Sequence, residues 1–161
     1  MAPAGDRIAG YWFTVYERVN YPNCYLSSLW IEPINTSSNC SFCEIASGGR
    51  NVKVVLESND YLCFLDNHPV NDGHALAIPK HHIQYLEQAS DPLLFEFLRD
   101  ALAEINQRFN PDSTNIGLNN GSEAGQTVPH LHWHIIPRHE GDTDDPAGGV
   151  RGVIPEEQKY R

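Results

Sequence analysis

Residues 126–138, QTVPHLHWHIIPR, place three of the chain's eight histidines at every second position with apolar residues between them. Side chains alternate across a strand, so His130, His132 and His134 take one face and Leu131, Trp133 and Ile135 take the other, against a core. At a rise of about 3.3 Å per residue, neighbouring imidazoles are attached roughly 6.6 Å apart, a spacing at which the rings can converge on one small group. A zinc ion is such a group and a tetrahedral phosphate is another. A strand that merely carries histidines is the third reading, and spacing alone leaves all three open.

The rest of the chain predicts where that strand sits. DYLCFLD (60–66) and HALAIPK (74–80) read as short apolar strands joined by the turn residues of NHPVNDG, a hairpin pattern. Asp91 can cap a helix with Pro92 at its first position. Leu94, Leu98, Ala101, Leu102, Ile105 and Phe109 then share one face at helical spacing, up to NPDS. A strand is expected near 114–119, a Gly-rich turn after it, the histidine strand over 129–136, and a tail without periodicity of its own. Residues 1–39 are aromatic, poor in helix signals and closed by a polar Asn/Thr/Ser run. They read as an extension packing one or two strands or loops on a domain that spans 40–161.

Totals narrow the function. A length of 161 residues, 40% of them hydrophobic and 20% charged, fits one soluble domain with a sizeable core. No stretch is long and apolar enough to span a bilayer, and the start lacks a basic segment followed by an apolar run, so a cytoplasmic protein with no membrane role is expected. Eleven Lys and Arg against 21 Asp and Glu give a formal charge of -10, which scarcely permits the basic face that nucleic-acid binding needs. A small anionic substrate remains compatible. Four cysteines can make two disulfides in an oxidising compartment. In an intracellular chain, however, Cys40-Ser41-Phe42-Cys43 is more often a metal or redox element, with Cys24 and Cys63 ordinary thiols.

Gln126 and Thr127 follow NNGSEAG, and a Gly-rich turn with amide and hydroxyl donors suits an anion better than a cation. The run His130-Leu131-His132-Trp133-His134-Ile135-Ile136 matches His-φ-His-φ-His-φ-φ, with φ hydrophobic. The segments CSFCEI, FLDNHPVNDGHALAIPKHHI, GSEAGQTVPH and IIPR surround it in order. Over residues 40–138 the chain resembles the histidine triad (HIT) superfamily, and within it the dinucleoside polyphosphate hydrolase, Fhit-type branch more than the phosphoramidase branch. Residues 1–39 depart from that pattern.

The resemblance implies an α+β fold, an antiparallel sheet of about five strands with one main helix, joined across a homodimer. It implies hydrolysis or nucleotidyl transfer at the α-phosphate of a small nucleotide substrate such as a dinucleoside polyphosphate. His132 would be the nucleophile, His134 and Gln126 donors to phosphoryl oxygens, His74 a closing histidine, and Thr127 a contact to the leaving group. Asp66 and Asn67 fall where the family holds ribose hydroxyls, and Asn119 where a polar residue faces the nucleotide. A phosphoramidase or phosphorylase would use the same residues, and a nucleotide-binding protein without turnover is the reading from another class. The resemblance also implies that Cys40 and Cys43 form half of a structural zinc site completed by His82 and His130, with His81 competing for the His82 role. A zinc shared by all three triad histidines is the rival arrangement, with metal-bound water as the attacking group.

Overall fold

The computed structural model describes residues 39–158, so the extension expected at 1–39, Asn39 apart, lies outside the described residues. Five strands form one antiparallel sheet: β1 (Val54–Glu57), β2 (Tyr61–Leu65), β3 (Ala75–Pro79), β4 (Ser113–Gly117) and β5 (Trp133–Arg138), in the order β1-β2-β3-β5-β4. Helix α1 (Ser41–Ala46) and helix α2 (Leu93–Phe109) pack on opposite faces. This is the α+β architecture that the sequence predicts.

The two core clusters show why β2 and β3 read as nearly continuous apolar runs. Tyr61, Cys63, Ala75 and Ala77 face α2, where Phe97, Ala101 and Ile105 are buried. Leu62, Phe64, Leu76 and Ile78 face α1, against Phe42 and Ile45. A strand buried on both faces alternates between two cores and not between core and water. β5 alternates too: Trp133 and Ile135 join Leu131 in the α2 core, while Leu76 pairs with His134 in register and puts that ring on the α1 side. Helix α2 starts as its sequence demands, with Asp91 Oδ1 accepting the Leu93 N–H at 2.8 Å.

Three expectations are adjusted. β5 begins at Trp133, so His130 and His132 lie on the approach to the strand, where the Leu131 N–H donates to Ile83 O at 2.7 Å. The alternation of faces survives: Leu131 packs in the α2 core, while His130 and His132 both meet Phe42 of α1. β4 ends at Gly117, leaving Asn119 beyond the strand. The tail folds into two short 3-10 turns, Gly149–Val153 and Pro155–Glu157.

Gly73 places the next residue of the site. It has φ +79, and a Cβ on it would sit 2.6 Å from the Phe109 ring at the end of α2. Only glycine fits both the left-handed backbone and that contact, and His74 follows directly.

Candidate active site and metal centre

The three triad histidines meet three different fates, each set by what one ring nitrogen touches. His130 is fully buried. Its Nε2 lies 2.8 Å from Pro79 O, which can only accept, so the proton is on Nε2 and the Nδ1 lone pair faces Cys40 Sγ at 3.4 Å and Cys43 Sγ at 3.6 Å. His82 Nδ1 completes the group, 3.2 Å from Cys43 Sγ. Zinc ligands at tetrahedral angles stand roughly 3.5 Å apart, so these separations suit a tetrahedral ion, and the Nε2–H bond to a carbonyl is the usual orienter of a ligating histidine. His82, and not His81, takes the fourth place; His81 lines a small cavity beside Tyr61 and Asp91 instead. None of Cys40, Cys43 and Cys63 forms a disulfide. Burial raises the Cys63 thiol to about 12, which makes it inert at neutral pH.

His132 is bonded differently. Its Nδ1 donates to the His130 carbonyl oxygen at 2.7 Å, leaving Nε2 with a lone pair. Phe42, between the two cysteines, packs its ring edge-on to both His130 and His132, with centroids 5.9 and 5.2 Å away. That contact was invisible in the sequence, because CSFCEI reads as a cysteine knuckle and not as a helix.

His134 stands 5.1 Å from His132 by ring centroid, and its Nδ1 is 3.0 Å from His74 Nε2. Burial pulls His134 down to about 4, with His132 and His74 adding to the effect and Asp66 opposing it. His74 is lowered too, first by burial, against the pull of Asp66. Both rings are therefore neutral at pH 7. Asp66, His74 and His134 also fall within ligand distance of one another, but the two imidazoles already face each other through a single proton.

The remaining expected residues are placed unevenly. Gln126 Nε2 donates to Gln84 O at 2.9 Å and to His130 O at 3.4 Å, while its Oε1 is buried with no donor among the described residues. In this structure it braces the carbonyl that orients His132. Thr127 and Asn67 are exposed. Asp66 Oδ1 accepts the His68 N–H at 2.9 Å, and Oδ2 lies 3.5 Å from His74 Nδ1. Asn119 Nδ2 donates to Gly125 O at 3.3 Å and lines a cleft of about 760 Å³ that also reaches His74, His134 and Arg138.

Sequence reasoning passed over the network at the far end of β5. Arg138 binds Asp142 through two nitrogens at 2.7 and 2.6 Å and donates to Asn115 Oδ1 at 2.7 Å; Asn71 Nδ2 donates to Pro137 O at 3.1 Å and to Asp142 Oδ2 at 3.0 Å. Continuing the alternation past His134 and Ile136 puts Arg138 on the same face, which was the available signal.

Residues 49–141 match the HIT domain. This chain belongs to the HIT family. A HIT-like protein of Methanocaldococcus jannaschii is 43% identical over 64% of this chain and 81% of its own length. An adenosine 5'-monophosphoramidase of Schizosaccharomyces pombe is 36% identical over 62% and 74%. Among solved structures, a HIT family member from Bacillus subtilis is 39% identical, covers 65% of this chain and 76% of its own, and aligns with a TM-score of 0.61. A zinc-bound histidine triad protein from Mycobacterium smegmatis is 30% identical, covers 73% and 91%, and aligns at 0.57. The HIT match lies inside the 40–161 segment and contains all three triad histidines, His74 and His82.

Proposed function

We propose that this HIT protein releases a nucleoside monophosphate from a nucleotide conjugate through a nucleotidyl-histidine on His132. The observation that carries this reading is the 2.7 Å bond from His132 Nδ1 to its own chain's carbonyl at His130. In the neutral ring this bond fixes the tautomer and puts the lone pair on Nε2, the atom assigned as nucleophile. Nε2 attacks the α-phosphorus, the bond from phosphorus to the leaving group breaks, and the leaving atom takes a proton passed from solvent through the Thr127 hydroxyl, which the attacking water of the second step returns to solvent. Water or another acceptor then attacks the same phosphorus, and Nε2 is restored. His134, 5.1 Å from His132 by ring centroid, is assigned as a donor to a phosphoryl oxygen. The exposed Thr127 hydroxyl is free to turn toward the leaving group, and Asp66 and Asn67 are assigned to the ribose. The phosphoramidase in Schizosaccharomyces pombe supports amidates as substrates; the dinucleoside polyphosphate reading rests on the sequence resemblance.

Zinc is assigned to Cys40, Cys43, His82 and His130, a set whose donors and spacing suit it. When bound, it supplies a structural cross-link and no reaction chemistry. The residues themselves tie α1 to the turn after β3 and to the approach of β5. We further infer a homodimer through the β4 edge, which pairs only with β5 among the described residues and carries the exposed Ile116.

The test is to incubate wild type and His132→Asn with an adenosine phosphoramidate and a diadenosine polyphosphate, following release of adenosine monophosphate. Wild-type turnover of either, abolished in the variant and accompanied by an adduct mass on His132, supports the proposal. Turnover that persists in the variant overturns it. Binding of adenosine monophosphate with both conjugates left intact would mean a nucleotide-binding protein instead. Elemental analysis after chelator-free purification tests the zinc, and sedimentation tests the dimer.

A further inference from the structure

His74 has so far been a histidine beside a histidine, and its two nitrogens say more. Nε2 lies 3.0 Å from His134 Nδ1. Nδ1 lies 3.3 Å from the backbone nitrogen of Val70 and is oriented to accept its proton. A backbone N–H can only donate. Nδ1 of His74 must then carry a lone pair, which puts the ring's one proton on Nε2 and directs it at His134 Nδ1. His134 Nδ1 becomes the acceptor, so the proton of His134 sits on Nε2, at the opposite edge of its ring.

One group opposes this order. Asp66 Oδ2 lies 3.5 Å from the same His74 Nδ1 and would favour a proton there. A proton on Nδ1 would reverse the chain, turning His134 Nδ1 into the donor and stripping Nε2. Two observations weigh against Asp66. Its oxygen at 3.5 Å is farther than the Val70 nitrogen at 3.3 Å, which itself makes a long hydrogen bond, and its other oxygen already takes the His68 N–H at 2.9 Å.

The Val70 N–H is also held in place. Asn71, the next residue, donates to Pro137 O and Asp142 and accepts the His74 N–H on its own carbonyl at 3.1 Å, and Arg138 clamps Asp142. The Arg138–Asp142–Asn71 network thus fixes the backbone whose N–H reads the His74 tautomer.

We propose that the Val70 backbone N–H, acting through His74, locks His134 as the Nε2–H tautomer, so that its proton lies on the ring nitrogen turned away from His74, the one assigned to the phosphoryl oxygen. Val70 and Asn71 are positioning residues, and His74 acts through His134. The consequence for catalysis rests on the phosphoryl chemistry proposed above. The tautomer itself does not, because it is set in the free protein. Without the lock, the Nε2 lone pair of His134 confronts a phosphoryl oxygen, two acceptors facing each other. Ribose hydroxyls donating to Asp66 would occupy the one competitor and strengthen the lock on nucleotide binding.

The experiment is nitrogen NMR of histidine-labelled protein, with and without adenosine monophosphate, on wild type and on Val70→Pro, His74→Gln, His74→Phe and Asn71→Ala. In wild type, His134 should show a protonated Nε2 and an accepting Nδ1. Val70→Pro removes the N–H at a residue that is 71% exposed, while also fixing φ there and restricting Pro69, and should reverse or mix the His134 tautomer. Its kcat should fall roughly 100-fold, the low end of the range for losing a positioned donor, with KM changed less. His74→Gln, whose amide can donate to His134 Nδ1, should keep the tautomer and most of kcat; His74→Phe should lose both. If Val70→Pro disrupts the 67–73 loop, His74→Phe carries the same test, and Asn71→Ala should show an intermediate loss. A wild-type His134 protonated at Nδ1, or a tautomer unmoved in both Val70→Pro and His74→Phe, overturns the inference. If no nucleotide conjugate is cleaved, the function proposed above fails while the spectra still decide this one.

Discussion

The cysteine–histidine quartet and the His74–His132–His134 group share one stretch of chain and use the same side chain in opposite ways. In the quartet, His130 spends Nε2 on a protein carbonyl and turns Nδ1 to sulfur. Two residues on, His132 spends Nδ1 on a carbonyl and keeps Nε2. Residue type and spacing are identical, so the chemistry is decided by which nitrogen the backbone claims. The two regions are not independent, because His130 gives its ring to the first and its carbonyl to the second. If the quartet holds zinc and His132 is the nucleophile, as proposed, damage should pass from the metal pole to the catalytic pole and not in the other direction.

The sharpest break in that comparison is His132→Asn. It should lower turnover by about 10⁴-fold or more, as loss of a nucleophile does, while metal content and melting temperature stay at wild-type values. A fall in metal content would mean that the poles are coupled in both directions. Cys43→Ser attacks the other pole. For zinc at a thousand times its dissociation constant, losing it removes about 4 kcal/mol of stability, read as a lower melting temperature and an empty site by elemental analysis. A smaller drop in kcat should follow as the His130 carbonyl loosens. Full activity in a metal-free variant would show that the shared residue transmits nothing.

Much of this was legible in the sequence where one physical signal dominated. The spans read at 60–66, 74–80 and 91–109 became Tyr61–Leu65, Ala75–Pro79 and Leu93–Phe109, because continuous apolar runs and an Asp-Pro start allow few alternatives. Phe97 was missed from the helix face although it is buried, since the expected stripe was centred a residue away and α2 also buries Ala101 and Ile105 on Phe97's row. β1 was missed because Val54–Glu57 buries only Val55 and so shows no alternation. α1 spans six residues and is hidden by its cysteine spacing. At the site, the triad and the Cys40–Cys43 pair were read from pattern, and His82 and His130 as their partners from the family resemblance. A backbone carbonyl partner for His132 follows from its reading as nucleophile, but that His130 supplies it, and that Pro79 O and the Val70 N–H assign the other protons, was not legible, because backbone atoms leave no mark on composition.

Gly73→Ala gives an effect of intermediate size. Its φ of +79 and the 2.6 Å approach of Phe109 should cost about 2 kcal/mol, the scale of a strained left-handed residue. Because His74 is the next residue, kcat should fall while zinc content does not, which keeps the damage at the catalytic pole. Loss of zinc in this variant would erase the distinction between the two regions.

The smallest expected effect is a pH dependence that separates His134 from the metal ligands. Burial first, with His132 and His74, holds folded His134 at about 4, below its ordinary value of 6.5, so the folded state keeps it neutral. As pH falls below about 6.5 the unfolded chain takes up this proton and the folded chain does not, so the stability tied to a neutral His134 is complete above that pH and is lost as pH falls toward 4. His134→Asn removes this dependence but leaves the quartet and its own acid sensitivity in place. The melting temperature of the variant should therefore decline less steeply than that of wild type between pH 6.5 and 4, with the curves parallel above pH 7. Curves parallel throughout would place the acid sensitivity entirely in the metal pole and would mean that His134 is not held neutral by its surroundings.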